Sequence, residues 1–374
     1  MRRHPLRPGE SMEVASVESF LVDVPQKWPI APYQSRYKAM SSTLSLLLRL
    51  ETDTGVVGWG ECPQIYLGDG FTGAEAVGLR SKLVGLDPTA IAALYCDLGL
   101  DGTYLQSAVE MALWDILGKA CGQPLYRLLG GPYRKSIDLA ACMGIKPYAE
   151  AGRLAEYYVE LGFRTLKTKA GRRPEEDLEM VRGIRDAVGD RLALRIDPNT
   201  GYSPDVCLQL AKDLERYNLQ YFEQPMPADR LDDSARIRKL TKTPLALNES
   251  VTTMSVVRSI LEKEAADVIL PDTYQCGGIW AVKLIADVAA SAGVPCVMHC
   301  AHDLGPKTAA MLHLSACTPN FSLANDCTYY GLVDDVIAEP FKVTNATMTV
   351  PESPGLGLEV SLAKVRQFQI AASA

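Results

Sequence analysis

Three acidic residues, Asp197, Glu223 and Glu249, stand at the ends of three short apolar runs, LALRID, LQYFEQ and PLALNES, at equal spacing along the chain. Runs of this kind read as buried strands of a parallel sheet, and the stretches between them, 204–217 and 231–240, carry helical periodicity. One strand-helix unit is therefore repeated with a carboxylate at the same place each time. Burying one carboxylate at the end of an apolar strand is costly, and three converging ones call for a cation. Oxygen ligands with positions left for water and substrate suit Mg²⁺, whereas zinc would recruit His or Cys.

Lys167 and Lys169 end an earlier strand-like run, one residue apart, so both side chains leave the same side of the strand. Alone they read as solvated surface lysines; beside three acids they read as part of the site. A lysine partly desolvated next to another cation is expected to have a lowered pKa and to act as a base. Asp272 in LPDTYQCGG and His299 in CVMHC are again one strand-helix unit apart. An Asp that accepts a ring N–H fixes the tautomer of the His and raises its basicity, which makes a second acid/base. His302 is the alternative to His299 in this role, and His313, on an apolar helical face, reads as structural.

The elements that must position these residues follow from the pattern. Residues 1–12 form a basic arm, His4 included, read as disordered. A strand is expected over 13–24, and a hairpin over 43–50 and 56–62 around Thr52-Asp53-Thr54-Gly55. The stretch 25–42, with Trp28, Tyr33, Gln34, Arg36, Tyr37 and Lys38, reads as a lid or as a solvated loop. Helices are expected over 73–84 and 105–129. After Gly130-Gly131-Pro132 come eight strand candidates, at 137–142, 163–169, 192–197, 220–223, 244–249, 268–271, 295–299 and 321–325, alternating with helical stretches. This is the signature of an α/β (β/α)7-8 TIM-type barrel. An open doubly wound sheet is the alternative, weakened because no Gly-x-Gly-x-x-Gly or P-loop follows a strand. The expected division is arm 1–12, α+β capping domain 13–132, barrel 133–338, and a tail 339–374 that packs back on the capping domain.

Composition bounds the partners. The chain has 374 residues, 47% hydrophobic and 22% charged, with a net charge of −7, which argues against nucleic acid. No stretch is apolar enough for a membrane span, and the arm leads into no apolar signal region. The ten Cys form no Cys-x-x-Cys pair and read as buried reduced thiols of a cytoplasmic protein.

Lys-x-Lys, then the spaced Asp197, Glu223 and Glu249, then Asp272 and His299, resemble the enolase superfamily in its mandelate racemase subgroup. The helix SAVEMALWDILGKACGQPLYRLLGG and the GWGE of Gly58 to Glu61 are similar to the same family's capping domain. The resemblance implies that Asp197, Glu223 and Glu249 hold Mg²⁺ and that Lys169 removes the proton α to a substrate carboxylate. It further implies that Lys167 neutralises that carboxylate and that His299 with Asp272 serves the other face. It also implies a symmetric homo-oligomer. Asn199, Arg36, Lys38, Asn325 and His302 are the candidate substrate contacts. The chain departs from the family at the eighth strand, where SLANDC offers Asn325 and then Asp326 in place of a Glu, and at Asn248, beside Glu249, where other subgroups use an Asp.

A shared first step leaves the product open. Expulsion of a β-hydroxyl would make a sugar-acid dehydratase, the reading favoured by the polar stretch around Gln34, Arg36 and Lys38. Proton return to the opposite face would make a racemase or epimerase, and lactone cycloisomerisation is a third outcome. A non-catalytic binding protein is a further reading, against which stands the completeness of the ligand and base set.

Overall fold

The computed structural model describes residues 11–63, 73–93 and 103–370. The expected arm falls almost wholly outside them. The capping domain begins with β1 (Val14–Pro25), a small hairpin of β2 (Tyr33–Gln34) and β3 (Ala39–Met40), then β4 (Ser42–Thr52) and β5 (Val57–Pro63). β4 pairs antiparallel with both β1 and β5, and the turn between β4 and β5 closes through Gly55 N–H on Thr52 O. The helix Thr103–Ala120 packs across β5. Gly58 and Gly60 permit this approach, since a Cβ at Gly60 would lie 1.7 Å from the Ala108 carbonyl oxygen. Two of the four GWGE positions are thereby explained by helix-on-sheet packing. The single helix expected over 105–129 is divided in two, Thr103–Ala120 and Leu125–Leu128. Gly122, at φ 64°, takes the left-handed conformation that ends the first, and Gln123 N–H returns to the Gly118 carbonyl.

The barrel strands are β6 (Ser136–Met143), β7 (Thr165–Lys169), β8 (Ala193–Asp197), β9 (Tyr221–Glu223), β10 (Leu245–Leu247), β11 (Val268–Ile269) and β12 (Asn325–Asp326). They pair in parallel in the order β11-β10-β9-β8-β7-β6-β12. The seventh expected strand, 295–299, is not regular: it makes one bridge, Cys296 with Ile269. It nevertheless closes the ring, since Val297 N–H reaches Ile269 O, His299 N–H reaches Pro271 O, and Asp326 N–H reaches Met298 O. The fold is thus a TIM-type α/β barrel with an N-terminal capping domain.

Helices cover the barrel with their apolar faces; Pro174–Val188, for example, buries Met180, Val181, Ile184 and Val188. The tail contacts both parts. β13 (Thr347–Thr349) adds antiparallel to β6, and Gln369 bridges to Val22 of β1. The tail was expected to pack back on the capping domain; the lower end of β6 offers a free edge that it also covers. No helix among the described residues is long and apolar enough to cross a membrane.

Candidate active site

Every barrel strand delivers its last residues to one end, and there a cavity of about 710 Å³ opens. Its lining includes Lys167 and Lys169 of β7, Asn199, Glu249, His299, His302 and Asp326, roofed by Tyr33, Ser35, Tyr37 and Lys38. Period-2 alternation places Lys167 and Lys169 on the inner side of β7, and Arg195 and Asp197 on that of β8.

The charges interlock. Lys169 Nζ lies 2.5 Å from Asp197 Oδ2, and Lys167 Nζ lies 2.6 Å from Glu223 Oε1, 2.9 Å from Asp326 Oδ2 and 3.3 Å from Asp197 Oδ2. Burial alone would lower the Lys167 pKa, but Asp326, Glu223 and Asp197 outweigh it and hold it well above the ordinary lysine range. The expectation of a lowered lysine pKa is therefore corrected for Lys167: the neighbouring anions act more strongly than the neighbouring cation. Asn199, in the left-handed region at φ 45°, donates its amide to Asp197 Oδ2 (3.3 Å) and Glu249 Oε1 (3.1 Å), so one side chain spans two of the three acids.

One oxygen of each glutamate, Glu223 Oε2 and Glu249 Oε2, is buried with no hydrogen-bond partner. Burial and the charge of Asp197 raise Glu223 well above the ordinary range and Glu249 to about 7. Crowded carboxylates with unpartnered oxygens fit a hard divalent cation held through oxygen. The tightest grouping of possible ligand atoms among the described residues is, however, Glu223, His299 and Asp326, all within 4.8 Å. Lys167, bonded to both Glu223 and Asp326, draws those two together. Asp326 is already committed to cations, since Arg195 Nη1 lies 3.1 Å from its Oδ1. The oxygens without partners belong instead to Glu223 and Glu249, which favours the strand-end acids as ligands.

His299 is buried, and its Nδ1 lies 2.9 Å from Asp272 Oδ2. Because Asp272 accepts, Nδ1 carries the proton and Nε2 is left as the basic nitrogen. Burial, then Lys167, lowers its pKa well below the ordinary value, so the ring is neutral near pH 7. His302, half-buried and lowered to about 3 by desolvation and then by Lys169, meets Gln26 Nε2 through Nδ1 and lies edge-on to Tyr33. It lines the cavity without the carboxylate partner that His299 has.

Two candidate substrate contacts are placed elsewhere. Asn325 does not face the cavity: its Oδ1 accepts from Met298 N and its Nδ2 donates to Ser315 Oγ, behind the barrel wall. Adjacent strand residues point to opposite faces, so Asp326, not Asn325, enters the interior. Arg36 donates to the carbonyl of Asn199, as does Tyr37, which fastens the β2–β3 hairpin over the site and leaves the Arg36 guanidinium outside the lining. Lys38 does line the cavity. At the other departure, Asn248 Nδ2 donates to the Leu270 carbonyl and is absorbed by the backbone, leaving Glu249 as the acid. Arg195 and Lys307 were not among the site candidates, and Asp326 was raised only as the residue that follows Asn325. Arg195 was detectable, as a cation two residues before Asp197 in an otherwise apolar strand.

Residues 17–130 match the mandelate racemase/muconate lactonizing enzyme N-terminal domain, and residues 150–364 match the enolase C-terminal domain-like family. The chain is similar to D-galactarolactone cycloisomerase of Agrobacterium fabrum, 32% identical over 364 residues, covering 91% of this chain and 95% of that protein. It is also similar to D-xylonate dehydratase of Haloferax volcanii, 32% identical over 358 residues, covering 87% of this chain and 85% of that protein. Among solved structures, a substrate-liganded L-Ala-D/L-Glu epimerase of Bacillus subtilis superposes with a TM-score of 0.86 at 27% identity, covering 94% of this chain and 100% of that one. Matched in both its capping and barrel parts, and over nearly the full length of its relatives, the chain belongs to the mandelate racemase/muconate lactonizing enzyme subgroup of the enolase superfamily.

Proposed function

We propose that this enzyme removes the proton α to the carboxylate of a polyhydroxylated acid and then expels a β-hydroxyl as water. The observation that carries the reading is the placement of two proton-accepting groups, Lys169 and His299, in one cavity at strand ends separated around the ring by β6 and β12. Asp197, Glu223 and Glu249 are the proposed Mg²⁺ ligands, with Asn199 orienting two of them. Bound there, Mg²⁺ supplies fixed positive charge for the substrate carboxylate as the α-proton leaves.

The chain's own groups divide the remaining work. Lys167, held cationic by its three acids, faces the substrate carboxylate as a charge partner. Lys169 takes the α-proton on one face. On the other, His299, neutral in the free site, takes up a proton at Nε2 from solvent before the elimination and gives it to the departing hydroxyl; Lys167, Lys169 and Lys307 around it make the imidazolium a ready donor. Ser35, Ser41, Thr43, Thr252 and Thr328 add hydroxyls to the cavity wall, and a wall of donors discriminates for hydroxylated substrates. Two similar proteins named for sugar-acid chemistry, the cycloisomerase and the dehydratase, support this substrate class.

Bases on two sides would equally serve epimerisation or lactone cycloisomerisation, and this second reading has the same geometric support. The discriminating experiment follows product type with galactaric and xylonic acids and Mg²⁺. Formation of a 2-keto-3-deoxy acid, trapped as its semicarbazone, is expected. An inverted or ring-closed product that retains all its oxygens would replace dehydration with the second reading.

A further inference from the structure

Lys307 is buried in the first turn of the helix Gly305–Cys317, a position where the helix dipole disfavours a cation. Its ammonium is fully engaged, 2.9 Å and 3.0 Å from the two oxygens of Asp272 and 2.6 Å from Asp303 Oδ1, and lies 5.1 Å from the centre of the Tyr274 ring. Asp272 Oδ2, which faces His299 Nδ1, is thus the same oxygen that Lys307 reaches. The helix start is fixed by the capping domain: Glu61 Oε1 accepts from Leu304 N and Oε2 from Lys307 N, and Ser45 Oγ donates to Oε1. The acid of the GWGE motif therefore anchors the backbone of the residue that shares Asp272 with the histidine.

We propose that Lys307 is a positioning residue for the acid-base chemistry of His299, held in register by Glu61. A lone Asp272 would give its whole charge to the ring and favour the imidazolium. Divided between Lys307 and His299, the carboxylate still fixes the Nδ1–H tautomer but stabilises the imidazolium less. A proton taken up at Nε2 is then held weakly and passed on readily, which expulsion of a hydroxyl requires. The inference rests on the proposed role of His299, but its physical claim can be read without substrate.

Six charged groups bear on the His299 ring: Asp272 beyond β11, Lys307 on the helix, Asp326 of β12, Lys167 and Lys169 of β7, and Glu223 of β9; His302 also lies nearby. Two variants act on the Lys307 arm in opposite senses; Asp303→Asn keeps an amide oxygen to accept from Ala301 N. Lys307→Met removes the cation and leaves Asp272 to the ring. Asp303→Asn keeps the Lys307 charge and removes its other carboxylate, committing it to Asp272.

The test follows the His299 ring by nuclear magnetic resonance across pH, assigned by comparison with His299→Asn, with Mg²⁺ present and again with it chelated. In Lys307→Met the protonation midpoint is expected to rise by roughly one pH unit or more; in Asp303→Asn it is expected to fall, so that the ring stays neutral to lower pH than in the wild type. A midpoint unchanged in Lys307→Met, or raised in Asp303→Asn, overturns the proposal. Should Lys307→Met fail to fold, the direction found in Asp303→Asn decides. Because neither reading uses turnover, failure here is distinct from failure of the dehydratase assignment, which the product assay addresses.

Discussion

Asn199 offers the sharpest test of the metal site, because one neutral amide holds two of the proposed ligands. Its hydrogen bonds to Glu249 and Asp197, at 3.1 Å and 3.3 Å, lie at the long end of the normal range. Each is therefore assigned a modest net value of about 0.7 kcal/mol. Losing both removes about 1.4 kcal/mol of ligand preorganisation, close to a tenfold rise in the Mg²⁺ dissociation constant. That agrees with the low end of the 10- to 100-fold losses typical of groups that orient ligands. The choice of variant matters, since the backbone at 199 is left-handed. Glycine accepts that conformation and deletes only the amide, whereas alanine adds strain of about 1 kcal/mol. Asn199→Gly is thus expected to weaken Mg²⁺ binding about tenfold by titration calorimetry, with Asn199→Ala at least as weak. Wild-type affinity in Asn199→Gly would refute the reasoning, whatever the activity.

Lys169→Ala and His299→Asn should each fold and each lose on the order of 10² to 10⁴ in rate; wild-type turnover in either removes that residue from the acid-base roles. Glu223→Gln should weaken Mg²⁺ binding, and a calorimetric affinity equal to the wild type would exclude Glu223 from the ligand set. Asp177 supplies a pH prediction remote from the ligands: fully buried, it accepts from Gly171 N and Tyr202 Oη while burial raises its carboxyl to about 6. A folded-state pKa above the unfolded one means that its contribution is fully present below about pH 4 and lost as pH rises through about 6. The thermal midpoint of Asp177→Asn relative to wild type should therefore rise between those limits, and a pH-independent difference would show that the carboxyl is not perturbed.

Sequence and structure agree where local pattern decides the outcome. The acids at 197 and 223 end their apolar runs and the strands that those runs form, because buried parallel strands must be apolar until they reach the open end of the barrel. The 295–299 segment was read as a full strand from its composition, yet makes only one bridge, its further links to the neighbouring strands being single hydrogen bonds. Asn325 was misplaced by one residue, and in a strand one residue exchanges interior for exterior. Lys307 was illegible for another reason: in GPKTAAM it resembles any lysine of a helix start, and its partners Asp272, Asp303 and Glu61 come from three separate segments. Its local clues are a cation in a first helical turn, where the dipole favours anions, and Asp303 four residues before it. Arg195 carried a clearer signal, as a charge on the same strand face as Asp197.

The most direct test of the central claim, α-proton removal from a hydroxylated acid, is incubation with Mg²⁺ in D₂O against a library of mono- and diacid sugars, read by mass spectrometry. The account predicts Mg²⁺-dependent loss of one water from at least one member, with deuterium incorporated into the product and a rate lower by a factor on the order of 10² to 10⁴ in Lys169→Ala. Neither water loss nor deuterium exchange in any member, from a protein shown by calorimetry to bind Mg²⁺, would contradict it.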